Sequence, residues 1–586
     1  MAHAQHRNRS DSGYGTAPAT APQAGTGGPS GSGSGTGTEV LVVGAGPTGL
    51  TLACDLARRG VRALLIEKDA ALFPGSRGKG LQPRTQEVFE DLGLLTAVHA
   101  AGRPYPRMLS WENGERQGEW DLVGRAEPDP AVPFPAAWML PQWRTQELLH
   151  DRLRELGGEV VLGTALTGLD QYPDRVEARL TGPDGTGWTV RARYLVAADG
   201  GRSTVRRAVG VAMAGEQVDP RPALVADVEV DGLDRANWHV WPKAPGGPLL
   251  LCPLPGTTAF QLFARFDGED GEDGRDGARD EGSARDEDGT RDEGGAAVPD
   301  TTPEGVRRTI AARTHLPESA VGEVHWASGF RPRAALAERF RAGRVLLAGD
   351  AAHIHSPAGG QGLNTGVQDA YNLGWKLGQV LRHGADEALL DSYEQERLPI
   401  AADVLELSTR LHRAGGVRDG RVRRGPRTEQ LGLGYEDGPL TVEARTGLPE
   451  EALRAGERAP DAPLDGSVLD GGPVDGTDDR ARTDDRARTD DRGGASDTRV
   501  RDGAPTAGRG PRRLFELFRG PQFTVLAIGR AVPELPAGVR GHRVDGGPAE
   551  RTYGPGLFVV RPDGYLGLAT HDPADLPGYL ARFGLH

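Results

Sequence analysis

Apolar positions in this chain come in short runs that break at glycine. Val40, Leu41, Val42 and Val43 form one run, which ends at Gly44-Ala45-Gly46-Pro47-Thr48-Gly49; Ala63, Leu64, Leu65 and Ile66 form the next. Four-residue apolar runs bounded by glycine fit buried strands, so this stretch predicts strand, glycine turn, helix and strand. Val345, Leu346, Leu347 and Ala348 predict a further buried strand, closed by Gly349 and Asp350. Leu363, Val367, Ala370, Leu373, Leu377 and Leu381 then recur at the helical period, which predicts a core helix running to His383 and Gly384. Residues 391–411 predict a second helix, with Pro399 as a kink. Between the glycine segments, residues 223–230, 238–241, 249–254 and 260–266 alternate in polarity and are rich in β-branched and aromatic side chains, the pattern of a sheet. Residues 523–528 and 556–560 predict strands of a small C-terminal domain.

The 586 residues are enough for several domains. Lys and Arg number 69 against 83 Asp and Glu, a formal charge of −14. An acidic chain repels phosphates, which argues against nucleic acid or an anionic membrane as partner. Cys54 and Cys252 are too few and too far apart for a disulfide framework or a zinc site, and they fit a reducing cytoplasm. No apolar run reaches the ~18 residues of a membrane span. Residues 1–37 are rich in Gly, Ser, Ala and Thr without the apolar core of a signal peptide, and are expected to be a disordered leader. Two segments read as low-complexity inserts: the Gly/Asp/Glu/Arg tract 267–300, and residues 476–505 with their repeated Asp-Asp-Arg-Ala-Arg-Thr.

The first glycine segment has a chemical reading. Gly44 permits the tight turn, Gly46 lets the backbone approach a pyrophosphate, and Gly49 allows helix and strand to pack closely. The helix that opens at Pro47 and Thr48 aims its amides and positive dipole end at the phosphates. Glu67, followed by Lys68, lies 18 residues after Gly49, where a carboxylate accepts ribose hydroxyls and favours an unphosphorylated ribose. Alone, this unit fits NAD or FAD. The second segment, Gly349 to Asn364, decides for a flavin when taken with the first. Asp350 ends a strand, where it can bond polyol hydroxyls, and Gly359, Gly360, Gln361 and Gly362 feed the core helix. Unpaired amides at that helix start would stabilise the negative charge of a reduced flavin. Asn364 is either a cap or a ring contact. A third segment, Asp199 to Arg206, reads as a helix start capped by Asp199 or Ser203, or as part of the site. His353 and His355 read as loop or core histidines, with a metal pair as the alternative. Trp238, Trp241, Phe260 and Phe263 fit either an aromatic substrate pocket or ordinary core.

In order and spacing, the three segments resemble those of the class A flavoprotein monooxygenases, the para-hydroxybenzoate-hydroxylase-like group, over about residues 38–410. The likeness is strongest to actinobacterial aromatic polyketide and antibiotic hydroxylases with a C-terminal thioredoxin-like domain. Arg458-Ala459-Pro460-Asp461 and Arg561-Pro562-Asp563-Gly564-Tyr565 resemble segments of that domain, and the redox Cys-x-x-Cys is missing. The resemblance implies an α/β fold: a Rossmann-like FAD-binding domain (38–210 and 327–415) interleaved with a β-sheet substrate domain (211–326), a linker (416–449) and a thioredoxin-like domain (450–586). It implies FAD held by Gly44, Gly46, Pro47, Thr48, Gly49, Glu67, Lys68, Asp350, Pro357, Gly360, Gln361, Gly362, Leu363 and Asn364. Arg77 resembles the arginine beside a mobile flavin, with a surface arginine as the alternative. Gln142 resembles a glutamine that contacts FAD, and Asp199 belongs to a segment that contacts FAD and NADPH. The implied reaction uses NADPH or NADH and O2 to hydroxylate an aromatic, polycyclic small molecule through a flavin hydroperoxide. No catalytic base and no metal ligand is nominated, and a homodimer is compatible. Rival readings are Baeyer–Villiger oxygenation of a ketone and a non-catalytic antibiotic-binding flavoprotein. A disulfide reductase would need a redox cysteine pair, which Cys54 and Cys252 do not form.

Overall fold

A computed structural model describes residues 36–122, 129–267, 299–357, 359–413, 426–464, 468–470 and 512–586. The expected leader up to residue 35, most of the first insert and the whole of the second lie outside the described residues. The first strand, Thr36–Val43, begins inside the expected leader, with Thr36 and Gly37 paired to Val190 and Arg191.

Among the described residues, an eight-stranded, a seven-stranded and a six-stranded sheet dominate the mixed α/β architecture. Thr36–Val43 is central in the first, parallel to Ala63–Ile66 on one side and to Gly187–Ala197 on the other. Val345–Leu347 joins beyond Gly187–Ala197, also parallel, so the two glycine segments leave the sheet at the same edge. Val40, Leu41, Leu195 and Leu346 are fully buried, as expected for parallel strands covered on both faces. Helix Pro47–Arg58 crosses helix Gly362–Arg382 at small residues: a Cβ on Gly366 would lie 2.4 Å from Thr48 Oγ1, and one on Gly374 would lie 2.2 Å from Asp55 Oδ2. Among the described residues no helix is long and apolar enough to cross a membrane.

The second sheet runs Val321–Phe330, Ala223–Val230, Ala259–Arg265, Leu249–Pro253, Asn237–Trp241, Arg107–Glu112 and Glu115–Trp120. Its last two strands come from upstream of the segment expected to form it. Alternation puts Leu224, Ala226, Val228, Phe260 and Leu262 on one face, against Val306 and Ile310 of helix Pro303–Arg313. The opposite face, turned towards the first domain, carries Asp227, Gln261, Phe263, Leu250 and Trp238. The aromatic cluster therefore divides. Trp241 and Phe260 are core under the helix, while Trp238 and Phe263 pack on the opposite face with Met108 and Met139.

The C-terminal sheet pairs Phe523–Ile528 in parallel with Val539–Val544 and antiparallel with Gly556–Val560, which pairs with Leu566–Thr570. Its inner side shares a core with helix Gly362–Arg382: Phe523 and Phe583 pack edge-on against Trp375, with ring centroids 5.6 and 5.8 Å away. Buried charges cross the same boundary. Glu396 accepts hydrogen bonds from Lys376 Nζ (2.7 Å) and from both terminal nitrogens of Arg561 (2.7 and 2.9 Å). Asp563 Oδ2 accepts from Trp375 Nε1 (3.0 Å) and Asn372 Nδ2 (3.1 Å).

Candidate active site

The turn after Thr36–Val43 separates two demands on glycine. Gly44 has φ +104°, and a Cβ there would lie 2.4 Å from the carbonyl oxygen of Ala198. A Cβ on Gly49 would lie 1.9 Å from the carbonyl oxygen of Gly44. Packing within the protein therefore explains both. It does not explain Gly46, whose φ of −70° and ψ of 179° suit any residue and whose Cβ would meet no atom of the described residues within 4 Å. A ligand pressed against this backbone at a helix N-terminus does explain it.

Other groups face the same place. Glu67 reaches back to the turn, its Oε2 accepting from the amide of Ala45 at 2.8 Å. Asp199 Oδ2 accepts from the amides of Thr204 (2.7 Å) and Val205 (3.2 Å), and Ser203 Oγ accepts from Arg206 (2.9 Å), so both candidates cap helix Thr204–Ala208. The second oxygen of Asp199, Oδ1, is buried without a hydrogen-bond partner. Arg206 ties this loop to the second glycine segment, donating to Ala351 O (2.9 Å) and Gly201 O (3.2 Å). Thr48 packs against Gly349 and Gly366 and so joins the two segments directly.

Asp350 is exposed, yet protein surrounds it so closely that desolvation raises its pKa, against the opposing charges of His353 and Arg77. Arg77 is also exposed, its guanidinium 4.9 Å from the Phe73 ring centroid and 5.8 Å from that of Trp326. Gln142, at the start of helix Gln142–Glu155, accepts from the amide of Gly78 at 3.1 Å, and Leu363 lies over Gly78.

The side chains at the start of the core helix hold protein. Asn364 accepts from the amide of Gln82 (2.8 Å) and donates to Gly80 O (2.9 Å) and Gly360 O (2.8 Å). Gln361 donates to Gly359 O (2.9 Å) and Thr428 O (3.1 Å) and accepts from Gln430 (2.6 Å). Asn364 is thus neither the helix cap nor open to a ring; the position before the helix is Gln361, which makes no side-chain cap bond. What this end offers a ligand is its first-turn amides, which have no partners within the helix. Lys68 and Pro357 are exposed.

Below the loop, His353 and His355 form a hydrogen-bonded pair (2.9 Å), and His353 Nε2 bonds Asp369, which also accepts from Arg397 Nε at 2.8 Å. Burial alone would raise the Asp369 pKa, but His353 and Arg397 outweigh it and hold it well below the ordinary value. Among the described residues, His355 Nδ1 is buried without a hydrogen-bond partner. Its surroundings push the His355 pKa far down, through burial first and the charge at His353 second. Asp369 and Arg397 carry no local sequence signal, since their partners lie far along the chain.

The open space at Gly46, the unpartnered Asp199 oxygen, the exposed Asp350 and the helix amides fit FAD. Residues 37–408 match the family model described as FAD binding domain. The chain belongs to the FAD-binding, flavin-dependent monooxygenases. It is 38% identical over 551 residues to a flavin-dependent monooxygenase of Mycobacteroides abscessus, covering 93% of this chain and 99% of that protein. It is 38% identical over 380 residues to the 12-dehydrotetracycline 5-monooxygenase/anhydrotetracycline 6-monooxygenase of Streptomyces rimosus, covering 63% of this chain and 68% of that one. The structure of an anhydrotetracycline hydroxylase from Streptomyces rimosus superposes with a TM-score of 0.62 at 28% identity, over 94% of this chain and 99% of the other. That of aklavinone-11 hydroxylase with FAD and aklavinone gives 0.66 at 27%, over 93% and 98%. This enzyme is therefore a monooxygenase that binds FAD.

Proposed function

We propose that this monooxygenase hydroxylates a polycyclic phenol of the aromatic polyketide or antibiotic kind, with NADPH or NADH as reductant. The observation that carries this is a cavity of about 240 Å³ between the second sheet and the first domain, lined by Pro74, Trp143, Asp227, Leu254, Thr257, Ala259 and His325. Pro74 precedes the loop that carries Arg77, and Ser76 and Lys79 of that loop bond Gln261, the cross-strand neighbour of Asp227, so the cavity adjoins that loop. Relatives named for tetracycline, rifampicin and aklavinone chemistry support a bulky aromatic occupant.

Bound FAD would supply the reductive activation of dioxygen and the transfer of one oxygen atom. The chain's own residues bind and orient. Gly46 and the Pro47 helix start would take the pyrophosphate, Glu67 the ribose and Asp350 the polyol hydroxyls. The first-turn amides of the Gly362 helix would stabilise negative charge on the ring. The parallel pair followed by an antiparallel pair supports the thioredoxin-like reading of residues 450–586; without a cysteine pair, that unit buttresses the Gly362 helix through Arg561 and Asp563. The test is a panel of polycyclic phenols, read by stimulated NADPH oxidation and by product mass. A product heavier by one oxygen on the ring supports the reading. Oxygen inserted beside a ketone replaces it with the Baeyer–Villiger reaction, and uncoupled binding by every phenol overturns it.

A further inference from the structure

Asp227 sits mid-strand on the cavity-facing side of the second sheet. It is 2% exposed, and among the described residues neither carboxylate oxygen meets a partner at full hydrogen-bond geometry, Ser76 coming near enough only to favour the charged form in part. The polar groups around it are otherwise engaged or neutral. Its cross-strand neighbour Gln261 accepts from Lys79 Nζ and donates to the carbonyl oxygen of Ser76, so that pair fastens the loop carrying Arg77 to the sheet. Lys79 also lies over the Trp238 ring, 4.3 Å from its centroid. From the neighbouring strand, His325 faces the cavity, with Glu229 3.6 Å from it. Burial lifts the Asp227 pKa from 3.8 to about 6, opposed only in part by Ser76, Lys79 and His325. An acid of that strength is half ionised near pH 6, close enough to neutrality that the carboxylate can both accept and release a proton. A buried carboxylate that lines a cavity beside the Arg77 loop without full hydrogen bonding has the marks of a functional group.

We propose that Asp227 takes the proton from the phenolic hydroxyl of the substrate. The inference rests on the phenol-hydroxylase reading above. In this step the O–H bond of the phenol breaks and its proton forms a new O–H bond on the Asp227 carboxylate. The bonding pair stays on the substrate oxygen, which becomes a phenolate and enriches the ring carbons ortho and para to it. No electron leaves the substrate in this step. The proton returns to solvent, or to the product oxygen, when the cavity opens.

The test is binding to the FAD-loaded protein, which requires no turnover. The probes are 2-naphthol, which donates a hydrogen bond, and 2-methoxynaphthalene, which cannot. As Asp227 ionises between pH 5 and 7, wild-type affinity for 2-naphthol is expected to rise about tenfold while that for 2-methoxynaphthalene stays level. In Asp227→Asn the rise is expected to vanish, with FAD content and ether affinity unchanged. In Asp227→Glu it is expected to persist. A rise that survives in Asp227→Asn assigns the titration to His325 or another group and overturns the proposal, as does a level 2-naphthol profile in the wild type or a failure of 2-naphthol to bind. Equal loss of FAD, ether and naphthol affinity in Asp227→Asn would make the residue purely structural and also overturns it. Failure of the hydroxylase reading shows separately, as no NADPH oxidation stimulated by any phenol.

Discussion

Gly46→Ala separates what the cofactor requires from what the fold requires. The backbone there is ordinary for an L-residue, and the new methyl would meet no protein atom within 4 Å. The apo-protein should unfold at an unchanged or slightly higher temperature, because removing a glycine from the unfolded chain stabilises by about 0.4–1 kcal/mol where the native conformation permits it. FAD affinity should nonetheless fall at least about tenfold, or ~1.4 kcal/mol, since the methyl occupies the space into which a pyrophosphate would press. Gly49→Ala is the control of opposite sign. Its Cβ would lie 1.9 Å from the carbonyl oxygen of Gly44, so helix and turn must separate at a cost of about 1–3 kcal/mol even without cofactor. The assay pairs thermal unfolding of both apo variants with a titration of FAD followed by flavin fluorescence. If Gly46→Ala binds FAD as tightly as the wild type, the cradle has been misplaced. If it destabilises the apo-protein as much as Gly49→Ala does, the glycine there serves packing alone.

Asp227→Asn should stabilise the protein at pH 8: a pKa raised from 3.8 to about 6 corresponds to at most ~3 kcal/mol, present above the folded pKa and absent below about pH 4. Urea unfolding at both pH values measures this, and equal stability of mutant and wild type at pH 8 would count against a costly buried charge. Glu396→Gln strands Lys376 and Arg561 in the shared core and should destabilise by about 3–5 kcal/mol, with early proteolysis in the C-terminal sheet; a loss under 1 kcal/mol would refute the weld. Burial alone would raise the Glu396 pKa, but Arg561 and Lys376 lower it to about 2, so its contribution is present above pH ~4.5 and lost as pH falls towards 2. Asp199→Ala removes the bonds to the Thr204 and Val205 amides and should cost about 1 kcal/mol in urea unfolding, less if Ser203 alone suffices.

Sequence reasoning reached the parts of this molecule that are local. The run Val40 to Val43, the glycines after it and the spacing to Glu67 all act within one strand–turn–helix unit, so their pattern carries their geometry. The helix at Gly362 announced itself through its apolar period for the same reason. What lay hidden depends on distant partners. Arg206 acts on Ala351, Asp369 on Arg397, and Glu396 on Arg561, and no local pattern marks any of them. Glu115–Trp120 is an edge strand with a mostly exposed, polar sequence, so it lacks the alternation that would betray a strand. The aromatic cluster was unreadable because one-residue parity decides which face each ring takes: Trp238 and Trp241 are three apart and so lie on opposite sides. Asn364 reads as available for a ligand because two of its three protein partners, Gln82 and Gly80, lie far upstream in the chain.

The account turns on one oxygen atom. The FAD-loaded enzyme would be reduced without air, mixed with a polycyclic phenol it binds, and exposed to isotopically heavy dioxygen in a single turnover. One heavy atom on the aromatic ring of the product is the predicted result. Peroxide released in step with reductant, with the phenol recovered unlabelled for every ligand that binds, would contradict it.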